Sequence, residues 1–286
     1  MMRTVFDVLI SDYTVLEGLW GMGRVRGIAE KSDLECFPVA DNGKIIGALT
    51  RGDLIKSHPN RIVMDAMSGS YKFIGAGESV WKAKRLLEEG TDVLIITREG
   101  KTVGIITKKA IEIEIGKHID LLTGLYKSDY IMYKSLELLE RGGEITIIFF
   151  DVNNFGCIDK EYGHAVGDTV LKEAAQILES SAPEQSYLCR YGGDEFALLT
   201  DECTEKCKII AQDILDKIKG HNFYEDIHID ISAGIAGGRR SNPRKENMYK
   251  MVMNLINLAS LASTKAKKEK ENLVLGYNGI IDERIS

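Results

Sequence analysis

Short apolar runs closed by glycine recur along the first half of the chain. Phe37 to Ala40 and then Ile45 to Leu49 flank Gly43; Val93 to Thr97 and then Val103 to Ile106 flank Gly100. Runs this short and this rich in β-branched residues predict strands joined by glycine turns. Ahead of the second pair, Val80, Ala83, Leu86 and Leu87 fall at helical spacing within Ser79 to Glu89. The second half reads as a helix ending near Glu140, a strand over Glu144 to Phe150, and a helix from Gly163 to about Ser180. Next come a hairpin (Tyr187 to Cys189, then Phe196 to Leu199), a helix over Thr204 to Lys219 and a strand over Ile227 to Ala236. A long helix over Asn247 to Lys270 and a last strand over Leu273 to Tyr277 complete it. Helices alternating with strands predict an α/β (α+β) domain with a central mixed sheet flanked by helices.

The first half repeats itself. Gly43-Lys44-Ile45-Ile46-Gly47-Ala48-Leu49-Thr50 matches Gly100-Lys101-Thr102-Val103-Gly104-Ile105-Ile106-Thr107 at an offset of 57 residues. Each copy ends on a threonine placed to cap a following helix. Two copies of one small α/β unit, about 1–57 and 58–115, are the expected organisation. After them, Ile111 to Ile119 fits two periods. Ile and Glu alternate as in a strand, while Ile111, Ile115, Ile119 and Leu122 line one helical face. The helix is favoured, with its stripe left to pair with a second subunit, and His118 reads as a solvated helix residue. No Gly/Ser/Pro linker separates the halves, so the joint reads as stiff.

With 286 residues, 44% hydrophobic and 28% charged, the chain suits about two globular domains. The best apolar run, Ile145 to Phe150, is far short of the ~20 residues that cross a bilayer, and the N-terminal residues do not read as a signal peptide. Five cysteines without framework spacing read as free cytosolic thiols, which implies a cytoplasmic protein. Residues 1–115 hold 16 basic and 16 acidic side chains, whereas 116–286 hold 21 and 27. The acidic excess of the second half argues against a nucleic-acid surface.

That half contains the chemistry. Arg190-Tyr191-Gly192-Gly193-Asp194-Glu195-Phe196 sets two adjacent acids at a predicted hairpin tip, where the glycines are expected to accept positive φ. Adjacent carboxylates repel unless a cation lies between them, and a hard ion such as Mg2+ carrying a substrate phosphate is the natural partner. The bland alternative is a solvated acidic turn. A second carboxylate, Asp151, ends the strand at Phe150, and Val152-Asn153-Asn154-Phe155-Gly156 forms a turn whose amides suit phosphate.

These residues resemble the signature of the GGDEF family of diguanylate cyclases, and the resemblance covers residues 116–286 in order. It implies a palm-like, nucleotidyl-cyclase sheet, a Mg2+ or Mn2+ cofactor, and condensation of two GTP into cyclic di-GMP with release of two pyrophosphates by facing domains of a homodimer. It further implies that Asp151, Asp194 and the Val152 carbonyl hold metal. Glu195 acts as base for the 3′-hydroxyl or as a further ligand, and Asn154, Phe155, Gly156 and Lys267 meet phosphate. Arg190 belongs to the substrate-binding signature, and Asp159, His164 and Asp168 line the guanine wall. Several positions depart from the pattern. Asp159 replaces an asparagine, Lys160 an aspartate, Gly156 a lysine, and Glu271 an arginine; Lys127-Ser128 replaces an Asn-Arg pair. Charge reversal beside phosphates costs on the order of 1 kcal/mol. The Arg-x-x-Asp of product inhibition falls on Pro183 and Ser186. A degenerate GTP-binding receptor therefore stands as the alternative. An enzyme that also takes ATP is disfavoured by Asp168, because adenine has no N1 hydrogen to donate.

Residues 1–115 resemble a tandem pair of CBS domains, through Pro38-Val39, Gly47, Thr50 and Asp53 and the echoing Gly104 and Thr107. The resemblance implies an adenine nucleotide in a cleft, with Thr50 or Thr107 on phosphate and Asp53 on ribose. Ala110 replaces the second aspartate, so at most one good site is expected. The alternative is that both threonines are only helix caps.

Overall fold

The computed structural model describes residues 3–237, 248–269 and 271–276. The chain divides into two compact units, Met1–Lys117 and His118–Ser286.

The first unit runs β1 (Leu16–Glu17), α1 (Met22–Ala29), β2 (Cys36–Asp41), β3 (Lys44–Thr50), α2 (Arg51–Lys56), α3 (Val63–Ala66), β4 (Tyr71–Gly75), α4 (Val80–Glu88), β5 (Val93–Arg98), β6 (Lys101–Thr107) and α5 (Lys108–Gly116). Its two three-stranded sheets, β1-β2-β3 and β4-β5-β6, are built alike, with one parallel and one antiparallel pairing each. Even the register shifts correspond, between Val39 and Ala40 and between Ile96 and Thr97. The turns need left-handed backbone, supplied by Asn42-Gly43 and by Glu99-Gly100. The internal symmetry of the sequence is thus a symmetry of the fold.

The second unit runs β7 (Tyr126–Lys127), α6 (Ser128–Glu140), β8 (Thr146–Val152), α7 (Phe155–Tyr162), α8 (His164–Ser181), β9 (Tyr187–Arg190), β10 (Glu195–Thr200), α9 (Thr204–Gly220), β11 (Ile231–Gly237), α10 (Met248–Glu269) and β12 (Leu273–Leu275). Among the described residues the strands form one mixed sheet in the order β12-β11-β8-β10-β9-β7. Strand β8 is central and buried on both faces, which is why its sequence is a continuous apolar run rather than an alternating one. Ile148, Phe150 and Val152 meet α8 and α9 through Val170, Ala174, Ala211 and Ile214. The other face lies under α6 and α10.

The structure departs from the sequence reading in several places. Helix α5 ends at Gly116, and Ile111 and Ile115 are buried, so the expected apolar stripe is not a free face. Ile119 lies beyond the helix, bridged to Tyr126, and Leu122 packs on the core of the second unit. His118 is not a solvated helix residue: its Nδ1 lies 2.7 Å from Asp129. The strand expected from Ile227 starts at Ile231, and α7 forms between the expected turn and the helix from Gly163. The outer ends of the last helix and strand, at Asn247, Lys270 and Tyr277, lie outside the described residues. All five cysteines are free. Among the described residues no helix is long and apolar enough to cross a membrane.

Candidate active site

Strand register builds the site. Glu195 at the start of β10 pairs with Asp151 on β8, which puts both carboxylates on one face of the sheet. The same register brings Ser232 of β11 opposite Asp151 on the other side. Asp194 sits one residue before β10, and its carbonyl accepts from the Val152 N–H at 3.1 Å. The signature turn is held from both sides. Tyr191 packs edge-on against Phe149 at 5.0 Å between ring centres. Arg190 donates to the Gly193 carbonyl through Nε (3.0 Å) and Nη2 (2.5 Å), and to Asp120 Oδ1 through Nη1 at 2.9 Å. Asp120 Oδ1 also accepts from Thr123 N (2.9 Å) and Thr123 Oγ1 (2.8 Å).

Arg190 thus braces the turn, and its guanidinium is committed within the protein rather than turned toward a substrate. Asp120 belongs to none of the motifs singled out in the sequence. Its Asp-x-x-Thr spacing, which favours a side-chain-to-backbone turn, was the available signal. The glycines differ from expectation as well. Neither Gly192 nor Gly193 adopts positive φ. A Cβ at Gly192 would stand 2.5 Å from Glu195 Oε2 and would make that carboxylate shift, whereas one at Gly193 would meet nothing within 4 Å.

The electrostatics show the strain of gathering acids. Burial, and then the Asp151 charge, push Asp194 above the usual carboxylate range; Lys267 and Arg190 partly offset them. Glu195 is raised by burial, then by Asp151 and Asp194. The nearest relief is Lys267 on α10, whose Nζ lies 2.6 Å from Asp151 Oδ1 and 3.4 Å from the Val152 carbonyl. Among the described residues no three or more His, Cys, Asp or Glu side chains converge tightly enough to enclose a metal ion. The donor chemistry still fits a hard divalent cation. The ammonium itself marks a cation position between a carboxylate and a carbonyl oxygen, beside two further acids that attract a cation and repel Asp151.

The residues that the family resemblance assigns to nucleotide lie on β8's exit and the following helices. Asn154 takes the left-handed conformation (φ 55°, ψ 30°) and leads directly into α7. The first-turn N–H groups at Phe155 and Gly156 have no intrahelical partner, which suits an anion. Gly156 is exposed with open space around it. Gly163, at φ 87°, turns the chain from α7 into α8. At this corner Asp159 Oδ2 lies 3.0 Å from Nδ1 of His164, whose side chain is 89% exposed. Asp159 also presses on Gly167, where any Cβ would overlap its carboxylate. The exposed Asp168 is the next residue on α8. Glu271 is not on the helical turn after Lys267, because α10 ends at Glu269 and the Glu271 N–H donates to the Ala266 carbonyl at 3.0 Å.

Residues 117–273, more than half of the chain, match the family model described as diguanylate cyclase, GGDEF domain. The chain belongs to the GGDEF diguanylate cyclase family. A CBS domain model matches residues 63–115, one copy of the repeat. The GGDEF region is similar to signaling protein YkoW of Bacillus subtilis (strain 168), 32% identical over 134 residues, 44% of this chain and 17% of the relative. It is also similar to diguanylate cyclase DgcS of Shewanella oneidensis, 27% identical over 129 residues, 44% of each. The chain thus spans less than half the length of either relative. The solved GGDEF domain of DgcB from Caulobacter crescentus, in complex with c-di-GMP, aligns with TM-score 0.48 at 22% identity over 56% of this chain and 95% of that one.

The CBS-like unit corrects the expected regulatory site. Asp53 is 8% exposed and turned inward. Its Oδ2 accepts from Thr50 N (2.8 Å), Thr50 Oγ1 (2.9 Å) and Ser68 N (3.2 Å), and its Oδ1 from Ser68 Oγ (2.5 Å). Thr50 Oγ1 in turn accepts from Asp53 N at 3.2 Å. This reciprocal box caps α2 and engages both carboxylate oxygens within the unit. Thr107 likewise caps α5, accepting from Ala110 N at 3.4 Å. A cavity of about 470 Å³ opens between the two copies, bordered by Asp12, Lys31 and Glu35 of the first and Thr107, Lys109 and Ala110 of the second.

Proposed function

We propose that the GGDEF unit condenses two GTP into cyclic di-GMP and two pyrophosphates. The cross-strand pair Asp151–Glu195, with Asp194 beside it, carries this reading. Three carboxylates are held at one end of the central strands although two of them are pushed toward protonation, an arrangement suited to binding a cation. Asp151, Asp194 and the Val152 carbonyl would hold Mg2+ or Mn2+, which supplies Lewis-acid polarisation of the phosphates. Glu195 takes the proton of a ribose 3′-hydroxyl as its oxygen attacks the α-phosphorus of the other GTP; the bond to the leaving pyrophosphate breaks. Repeating the step in the opposite sense closes the ring. The amides of Phe155 and Gly156 and the Lys267 ammonium neutralise phosphate charge, and Asp168 accepts from the guanine N1 and N2 hydrogens. Each unit holds one GTP, so the working form is a homodimer acting on cytoplasmic GTP. The N-terminal unit acts as a tandem CBS pair, and an adenine nucleotide enters the cavity at Thr107 rather than the capped Asp53.

Product analysis by mass spectrometry after incubation with GTP and Mg2+, with and without AMP, ADP or ATP, tests this. Cyclic di-GMP supports the enzyme, and a change with adenine nucleotide supports the regulatory reading. A second reading, a GTP-binding receptor without turnover, is favoured by the engagement of Asp159 with His164 and by the missing lysine at Gly156. GTP bound but no product under saturating Mg2+ would select it.

A further inference from the structure

Lys267 is placed with unusual firmness for a lysine. Helix α10 lies directly against β11 because Gly234 has no side chain; a Cβ there would stand 2.8 Å from the carbonyl carbon of Ala262, and closer still to Ala259 O and Ser263 N. Ser263 and Ala266, just before Lys267, are buried in that contact. The Cα of Lys267 is therefore fixed, and only its flexible stem can move the ammonium. That ammonium rests on Asp151 Oδ1 and the Val152 carbonyl, two of the oxygens that the proposed function gives to metal. A divalent ion and the ammonium cannot both sit there.

We propose that Lys267 is a built-in counter-ion that occupies the metal position until nucleotide arrives. Resting on the metal reading above, this adds an order of binding. Free metal must displace Lys267 from Asp151 and face its charge across the same acids, and so binds weakly. A nucleotide brings phosphates that receive the ammonium, releasing Asp151 and Val152 to the metal. Because Gly156 removes the lysine of the phosphate turn and Arg190 is committed to Asp120 and Gly193, Lys267 is the residue asked to serve both anions in turn. Its side chain is 33% exposed and that of Asp151 17%, so the exchange happens at the surface without opening the core.

The test is binding of Mn2+ alone to the full chain, read from the free Mn2+ signal in electron paramagnetic resonance. Lys267→Met should bind Mn2+ about tenfold more tightly than wild type, and Lys267→Gln should repeat the gain. Lys267→Arg, which keeps the charge, should stay near wild type. Adding Asp151→Asn to Lys267→Met should remove the gain. Equal affinity in wild type and both neutral variants overturns the counter-ion. If, in that case, Asp194→Asn still weakens Mn2+ retention with GTP present, the metal reading survives alone. Absence of Mn2+ binding with and without GTP overturns both.

Discussion

Gly234 stands outside every motif, yet the geometry of the site depends on it. Replacing it with alanine puts a carbon 2.8 Å from Ala262 C and nearer to two other backbone atoms of α10. Carbon atoms pack at about 3.5–4.0 Å, so α10 must recede from β11 by roughly 1 Å. Backbone on both sides gives no flexible group to move aside. Overpacking of this kind costs about 1–3 kcal/mol, or a fall in Tm of roughly 2–4 °C per kcal/mol for a unit of this size. The functional effect exceeds the structural one. The Lys267 stem must then stretch to keep its head on Asp151, and a 1 Å misplacement from a mutation far from the chemistry costs about 100-fold in rate. Thermal melts and cyclic di-GMP formation should both be measured, with Gly193→Ala as control. The control site has open space and no positive φ, so its melt should match wild type. A Gly234→Ala protein that melts and turns over like wild type would refute the argument that this contact sets the position of Lys267.

Asp194→Asn should abolish turnover yet raise stability at neutral pH. Its folded pKa is raised, so ionisation opposes folding and stability is lost as pH rises from the ordinary carboxylate value through the raised one. Solvent screening holds the gain to about 1 kcal/mol or less, and melts of the two proteins should converge as pH falls below 4; a destabilised variant at pH 7 would contradict this. In Asp53 burial raises the pKa, but the hydrogen bonds from Ser68 and Thr50 outweigh it and hold it below the usual range. Its contribution is therefore present above about pH 4 and lost as pH falls through the folded value. Asp53→Ala should destabilise the first unit by about 1–3 kcal/mol while leaving calorimetric binding of AMP, ADP and ATP unchanged. Cyclic di-GMP should not inhibit turnover. The cavity of about 340 Å³ at Pro183 and Ser186 is lined by Tyr126, Tyr130, Glu179 and Glu184 and holds no basic side chain for the product's phosphates. Inhibition at micromolar product would show that anions are received there after all.

Periodicity and turn chemistry carried the local structure. The offset of 57 residues reappears as matched register shifts and matched threonine caps, because both copies contain the same alternation, glycine turn and capping hydroxyl. The apolar run ending at Asp151 and the two strands around Gly192-Gly193 were legible for the same reason. Helix α7 was not, since none of its residues is fully buried and two turns leave little period to detect. The joint predicts a helix past Gly116 because its isoleucines continue the spacing after the helical backbone has ended.

By itself, then, the sequence determined which segments are strands and helices, where the repeat lies and which acids are available. Only the tertiary structure decided what those side chains meet. Asp120 and Arg190 are 70 residues apart, and Asp151 and Lys267 are 116 apart. Local pattern encodes the face a residue takes on its own element. Strand order, register and the approach of α10 over Gly234 decide which faces come together, and these arise from packing the whole domain at once.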